Sequence, residues 1–291
     1  PELLSENVTV RRRQNNNSVT NVETSENNAL ETYQAHARGV YALAVLDSKT
    51  FISGGWDKKI KLWKKGDGIP KRTYIGHKNF VLALAVLDSK TFISGSVDKT
   101  IKLWKVDQES PIRTYEGHMK PISSLIILDS ERFISGSYDK TINFWMISDR
   151  SGNERAMWRY IGHTDYVNAL AVLDSRKRLF ISGSDDQRIL LWRCSSYTEL
   201  NALRMYRGHI QAVDVLAILD SQTFISGSKD KTIKLWKVES DRALRTFTGH
   251  TDFVNSLVIL NSKTFISGGG GEGEDNIIRL WNIDENNALY K

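Results

Sequence analysis

Gly76-His77-Lys78-Asn79-Phe80, then Val81-Leu82-Ala83-Leu84-Ala85-Val86-Leu87, then Thr91-Phe92-Ile93-Ser94-Gly95, then Asp98-Lys99-Thr100-Ile101-Lys102-Leu103-Trp104: this stretch returns along the whole chain. Its apolar runs are short, rich in β-branched and aromatic residues, and separated by Asp, Ser, Lys and Gly, which reads as strand, turn, strand, turn, strand. A fourth short run, Arg113-Thr114-Tyr115, precedes the next Gly-His. All six histidines of the chain stand in this context: Ala35-His36, Gly76-His77, Gly117-His118, Gly162-His163, Gly208-His209 and Gly249-His250. Their separations are 41, 41, 45, 46 and 41 residues. A unit of that period cannot bury its own faces and must stack on its neighbours. We label the strands of each unit a (after the His), b (Thr-Phe-Ile-Ser), c (ending at the Trp) and d (the Arg-Thr-Tyr type).

The recurring Gly-His, the Asp of the b–c turn and the Trp that closes strand c resemble the WD-repeat family over residues 36–283. The resemblance implies an all-β propeller of blades, each with four antiparallel strands. It departs in one respect: the residue after the Trp is Lys64, Lys105, Met146, Arg193, Lys237 or Asn282, never Asp. That argues against the Trp-Asp-x-Arg signature of some ubiquitin-ligase substrate receptors in the family. Six units are plain, yet the chain of 291 residues divided by seven gives about 41.6 residues, the observed period. Counting back from His36 in the frame of the His250 unit places Asn16 at Asp230, Val19 at Ile233 and Val22 at Trp236. Glu-Asn-Asn-Ala-Leu occurs at 26–30 and again at 285–289, each time on the approach to a strand d. Seven blades are therefore expected, with six as the alternative. Residues 1–35 would form a degenerate blade or closing segment, and 36–291 the six clear repeats of one propeller domain.

Each unit holds a Ser, a His and an Asp, as in Ser94, His77 and Asp98, the residue types of a hydrolase triad. A catalytic set needs one solvent-reachable copy; this one occurs six times in one register. The resemblance implies instead a buried relay in which Asp holds His, His meets Ser, and Ser accepts from the Trp indole. No enzyme is expected. No metal site or cofactor is expected either, because the histidines stand one per unit and close Cys or His pairs are missing. Gly268-Gly269-Gly270-Gly271 lacks the Lys-Ser/Thr ending of a phosphate loop and reads as a long b–c loop.

No apolar run approaches the length of a membrane helix. The polar start, with Arg11-Arg12-Arg13, lacks a secretory signal. The single cysteine, Cys194, fits a reducing compartment, so a cytoplasmic location is expected, with the nucleus as the alternative. The net charge is +6, and Lys58, Lys59, Lys61, Lys64, Lys65, Lys71 and Arg72 against Asp67 account for an excess of that size. The rest of the chain is nearly neutral, unlike a diffuse nucleic-acid surface.

In such a fold the d–a and b–c loops gather around the central channel. The positions three after each His and one before each Asp put Trp56, Phe80, Tyr138, Tyr166 and Phe253 on loop tips, where solvation alone favours small or polar groups. Asp185 of the fourth unit and Lys229 of the fifth occupy the position before the Asp, and Arg38, Lys78, Met119 and Lys120 lie on the neighbouring loops. Aromatic residues fringed by charge mark interaction surfaces. The expected function is thus a non-enzymatic scaffold or adaptor that binds a protein or peptide on this face, as a monomeric propeller within a larger protein or complex. The alternative is electrostatic binding of nucleic acid or acidic lipid through the basic residues at 58–72, although lysines on an outer strand also serve simply to block edge pairing. Trp158 is a lone aromatic on an outer strand that could mark a lateral contact.

Overall fold

The computed structural model describes residues 31–147, 154–174, 176, 178–194, 200–271, 275, 277–285 and 288–290. Within them lie six four-stranded antiparallel sheets, each ordered a-b-c-d as in the chain. Blade 1 comprises β1 (Val40–Val45), β2 (Thr50–Gly55), β3 (Ile60–Lys64) and β4 (Arg72–Tyr74). Blade 2 comprises β5 (Val81–Asp88), β6 (Thr91–Ser96), β7 (Ile101–Lys105) and β8 (Arg113–Tyr115). In blade 3 these are β9 (Ile122–Asp129), β10 (Arg132–Ser137), β11 (Thr141–Met146) and β12 (Trp158–Ile161). Blade 4 has β13 (Val167–Asp174), β14 (Leu179–Ser184), β15 (Ile189–Arg193) and β16 (Arg204–Tyr206). Blade 5 has β17 (Val213–Ile218), β18 (Thr223–Ser228), β19 (Ile233–Lys237) and β20 (Ala243–Phe247). Blade 6 has β21 (Val254–Ile259), β22 (Thr264–Gly269), β23 (Ile278–Asn282) and β24 (Ala288–Tyr290). The described residues thus form six blades, the number held as the alternative. The degenerate blade or closing segment expected over residues 1–35 falls, for residues 1–30, outside the described residues.

Packing between blades explains the b-strand sequence. Both faces of a middle sheet are covered, so Phe92 and Ile93, which point to opposite faces, are both fully buried. The Gly after each b-strand Ser is a steric necessity. A Cβ on Gly95 would sit 2.5 Å from Ile122 Cγ2 of the next blade, and one on Gly54 would sit 2.6 Å from Val81 Cγ1. Those β-branched residues have little rotamer freedom with which to retreat. At the rim, the Tyr or Phe of strand d in blades 1 to 5 lies edge-on to the Phe of the next blade. Tyr74 is 5.0 Å from Phe92, and Phe92 in turn stacks on Trp104. Trp158 belongs to this packing: its ring stacks 4.1 Å from Phe144.

Candidate functional site: the loop face around the channel

The relay holds the loops of this face. His77 Nδ1 lies 2.8 Å from Asp98 Oδ2, His77 Nε2 lies 2.7 Å from Ser94 Oγ, and Trp104 Nε1 donates to Ser94 Oγ at 2.8 Å. The indole is donor only, so the Ser hydroxyl must donate to Nε2, and Nδ1–H donates to the carboxylate; every proton then has a place on a neutral imidazole. Asp98 also accepts from the Lys78 amide at 2.8 Å and from the Thr100 hydroxyl at 2.6 Å, tying the d–a loop to the b–c turn. The other five sets, Ser53-His36-Asp57-Trp63 through Ser267-His250-Asp275-Trp281, repeat these contacts. All six serines are buried. Their geometry is that of a triad, yet each oxygen is buried and already engaged by an indole.

Burial pushes the imidazoles of His36, His77, His209 and His250 below the ordinary histidine value of 6.5, outweighing the carboxylate beside each. Burial alone would raise Asp98, Asp139 and Asp230; hydrogen bonds from the His, Thr and backbone outweigh it and hold them well below the usual carboxylate range. Asp275 is held at about 2 despite burial, chiefly by Arg279 and His250. Folding lowers both kinds of group, so the unfolded chain binds more protons and stability falls with falling pH. The histidine part is fully present above about 6.5 and is lost below it; the carboxylate part follows below about 4. Thermal midpoints measured from about pH 8 down to about pH 5 should therefore fall, most steeply below about 6.5. A midpoint that rises across that interval would contradict neutral relay histidines.

The loop-tip aromatics are half-buried rather than free, because they stack on one another. Trp56 and Phe80 approach to 4.3 Å, and Tyr41 stacks against both. Tyr138 and Tyr166 stack at 4.7 Å with nearly parallel rings. Arg38 sits 5.4 Å over Trp56 and Lys120 Nζ 5.2 Å over Tyr166, both within cation–π range. Lys78 and Met119 are exposed on neighbouring d–a loops. Phe253 lines a cavity of about 170 Å³ at the channel mouth together with Tyr41, Tyr138, Tyr166, Asp185 and Lys229. Lys229 Nζ stands 3.4 Å from Asp185 and 3.9 Å from Asp214, and Asn168 Nδ2 bridges Asp185 at 2.6 Å and Asp214 at 3.0 Å. Tyr41, Tyr138, Tyr166 and Phe253 thus share one cavity with a hydrogen-bonded polar ladder from blades 4 and 5.

Sequence reasoning missed the ring at position five after each His: Tyr41, Leu82, Ser123, Asn168, Asp214 and Asn255. In every blade the a–b register shifts at this residue. A bulge inserts one extra residue and re-aims its side chain. Five of these six side chains line the channel-mouth cavity. Their spacing from the His was a usable signal, but period-2 alternation hides it.

The basic residues spread along the length of blade 1. Lys58 and Lys59 precede β3 at the loop face, whereas Lys64 and Lys65 leave its far end, a strand length of roughly 13 Å or more away. Lys71 pairs with Asp67 at 2.6 Å, Arg72 faces Glu109 at 3.8 Å, and the Lys61 amine reaches over the Trp63 ring. Among the described residues no group of three or more His, Cys, Asp or Glu is placed to hold a metal ion. No described helix is long and apolar enough to cross a membrane.

Six relay-locked, four-stranded sheets around a channel define a β-propeller of the WD type. The chain belongs to the WD40-repeat family: the family described as "WD domain, G-beta repeat" matches residues 27–64, 68–105, 109–146, 155–193, 200–237 and 241–282. It is similar to pre-mRNA-processing factor 17 of Saccharomyces cerevisiae, 30% identical over 90 residues, which is 31% of this chain and 19% of that protein. It is also similar to the ribosome biogenesis protein WDR12 homolog of Nematostella vectensis, 41% identical over 80 residues, covering 26% of this chain and 19% of that protein. The matched segments thus span about a fifth of these relatives. Among solved structures, the WD40 β-propeller domain of Doa1 matches with a TM-score of 0.75 at 26% identity, over 88% of this chain and 82% of that one.

Proposed function

We propose that this chain is a non-enzymatic docking module that holds a protein or peptide partner on the loop face, over the channel mouth. The observation that carries the reading is the convergence of Tyr41, the stacked Tyr138–Tyr166 pair and Phe253, from separate blades, on one partly open cavity with a polar wall. Apolar rings with a few placed polar groups are what a binding site for a peptide side chain requires. The polar wall at Asp185, Asp214 and Lys229 would fix the register of such a segment. The relatives named for pre-mRNA processing and ribosome biogenesis fit an adaptor in a larger assembly, and they fit a nuclear setting better than the cytoplasmic one expected from composition.

The experiment is capture of a partner by immobilised chain, comparing two variants. Tyr138→Ala with Tyr166→Ala should lose the partner, while Lys64→Ser, Lys65→Ser, Lys71→Ser and Arg72→Ser should keep it. Loss confined to the basic set, together with steep weakening in salt, would support the electrostatic alternative instead.

A further inference from the structure

The polar wall of the channel-mouth cavity is rich in acceptors. An amide nitrogen carries two hydrogens, yet three oxygens stand around Asn168 Nδ2: Asp185 Oδ1 at 2.6 Å, Asp214 Oδ1 at 3.0 Å and the Val213 carbonyl at 3.3 Å. Lys229 Nζ keeps 3.4 Å from Asp185 and 3.9 Å from Asp214, whereas a close ammonium–carboxylate bond spans about 2.7–2.9 Å. Among the described lining residues the charges are Asp185, Asp214 and Lys229, which leave the cavity one negative charge. The Asp214 side chain is 9% exposed and that of Asp185 24%, so water screens this charge poorly.

The rest of the cavity is aromatic, with Tyr41, Tyr138, Tyr166 and Phe253. The faces of such rings attract cations, and the Lys120 ammonium already rests 5.2 Å from the centre of the Tyr166 ring. Rings alone would take any apolar side chain, and carboxylates alone would draw any cation. Together they select a flat cation that stacks with its faces and donates from its edge. A guanidinium is planar, carries five N–H donors and is weakly hydrated, whereas the lysine ammonium is compact and strongly hydrated. The volume of about 170 Å³ is far above the roughly 10–15 Å³ that admits one water, so the head group and its stem can enter. Resting on the docking reading above, we infer that this cavity receives an arginine side chain of the partner, its guanidinium between the tyrosine rings and the Asp185–Asp214 wall. Its positive charge brings the sum over the cavity to zero.

The test titrates the full chain, by calorimetry, with four end-capped pentapeptides that carry arginine, citrulline, lysine or glutamate between pairs of alanines. Arginine should bind about tenfold or more tighter than citrulline, which keeps the shape and loses the charge, with lysine between them and glutamate weakest. Lys229→Met should tighten the arginine peptide by about threefold or more, because it removes a like charge from the wall. Should that variant unfold, the four peptides on the unaltered chain decide alone. Equal affinity for arginine and citrulline would reduce the cavity to stacking, and lysine bound as tightly as arginine would remove the selection for a flat cation. Preference for glutamate would make Lys229 the anchor of an anion. Each of these results overturns the inference. If no peptide binds while partner capture still depends on Tyr138 and Tyr166, the arginine assignment falls and the docking site stands. If capture is also indifferent to those two tyrosines, the docking reading falls with it.

Discussion

Asp98→Ala should destabilise the propeller by about 2–4 kcal/mol, read as a shift in the urea midpoint at unchanged slope. The carboxylate is nearly inaccessible, with 6% of its side chain exposed, so solvent screening gives little relief. Its removal orphans the His77 Nδ1–H and takes the acceptor from the Lys78 and Thr100 amides. Buried donors left without partners cost far more than an average hydrogen bond contributes. The same change frees the d–a loop that carries Phe80, so a loss of partner binding should accompany the loss of stability. Stability held within about 0.5 kcal/mol, with disappearance of a hydrolytic activity, would return the Ser-His-Asp set to chemistry.

The second large effect is on binding. Tyr138→Ala and Tyr166→Ala should each weaken partner affinity by about 2 kcal/mol, roughly thirtyfold, as expected for aromatic residues at the centre of an interface. The two rings stack at 4.7 Å, so the losses should not add in the double variant. Loop-tip exposure alone would leave the thermal midpoint unmoved. The stack implies a modest fall, because such a pair contributes about 0.5–1.5 kcal/mol beyond its buried area. A double variant that binds normally while its midpoint drops steeply would reduce these rings to packing residues.

The relay was legible because its four residue types recur six times at one register, which is the mark of a structural element of the repeat. The aromatic tips were legible as positions but not as pairs. Whether Trp56 meets Phe80 depends on how adjacent blades rotate past each other, and no single repeat encodes that. Tyr41, Asn168 and Asp214 escaped because a bulge breaks the alternation by which strand faces are read. The lysines of 58–72 misled in the opposite way. They are neighbours in sequence, but β3 carries them to opposite ends of a sheet and Asp67 neutralises one of them. The aromatic partners of Tyr33 in blade 1, Phe51 and Trp63, likewise become visible only in three dimensions.

Site-specific photo-crosslinking tests docking on the loop face most directly. A benzophenone side chain placed at Phe253, at the channel mouth, should crosslink the partner, and one placed at Lys64, at the far end of β3, should not. Crosslinking at Lys64 with none at Phe253 would contradict the proposed site and move recognition away from the loop face.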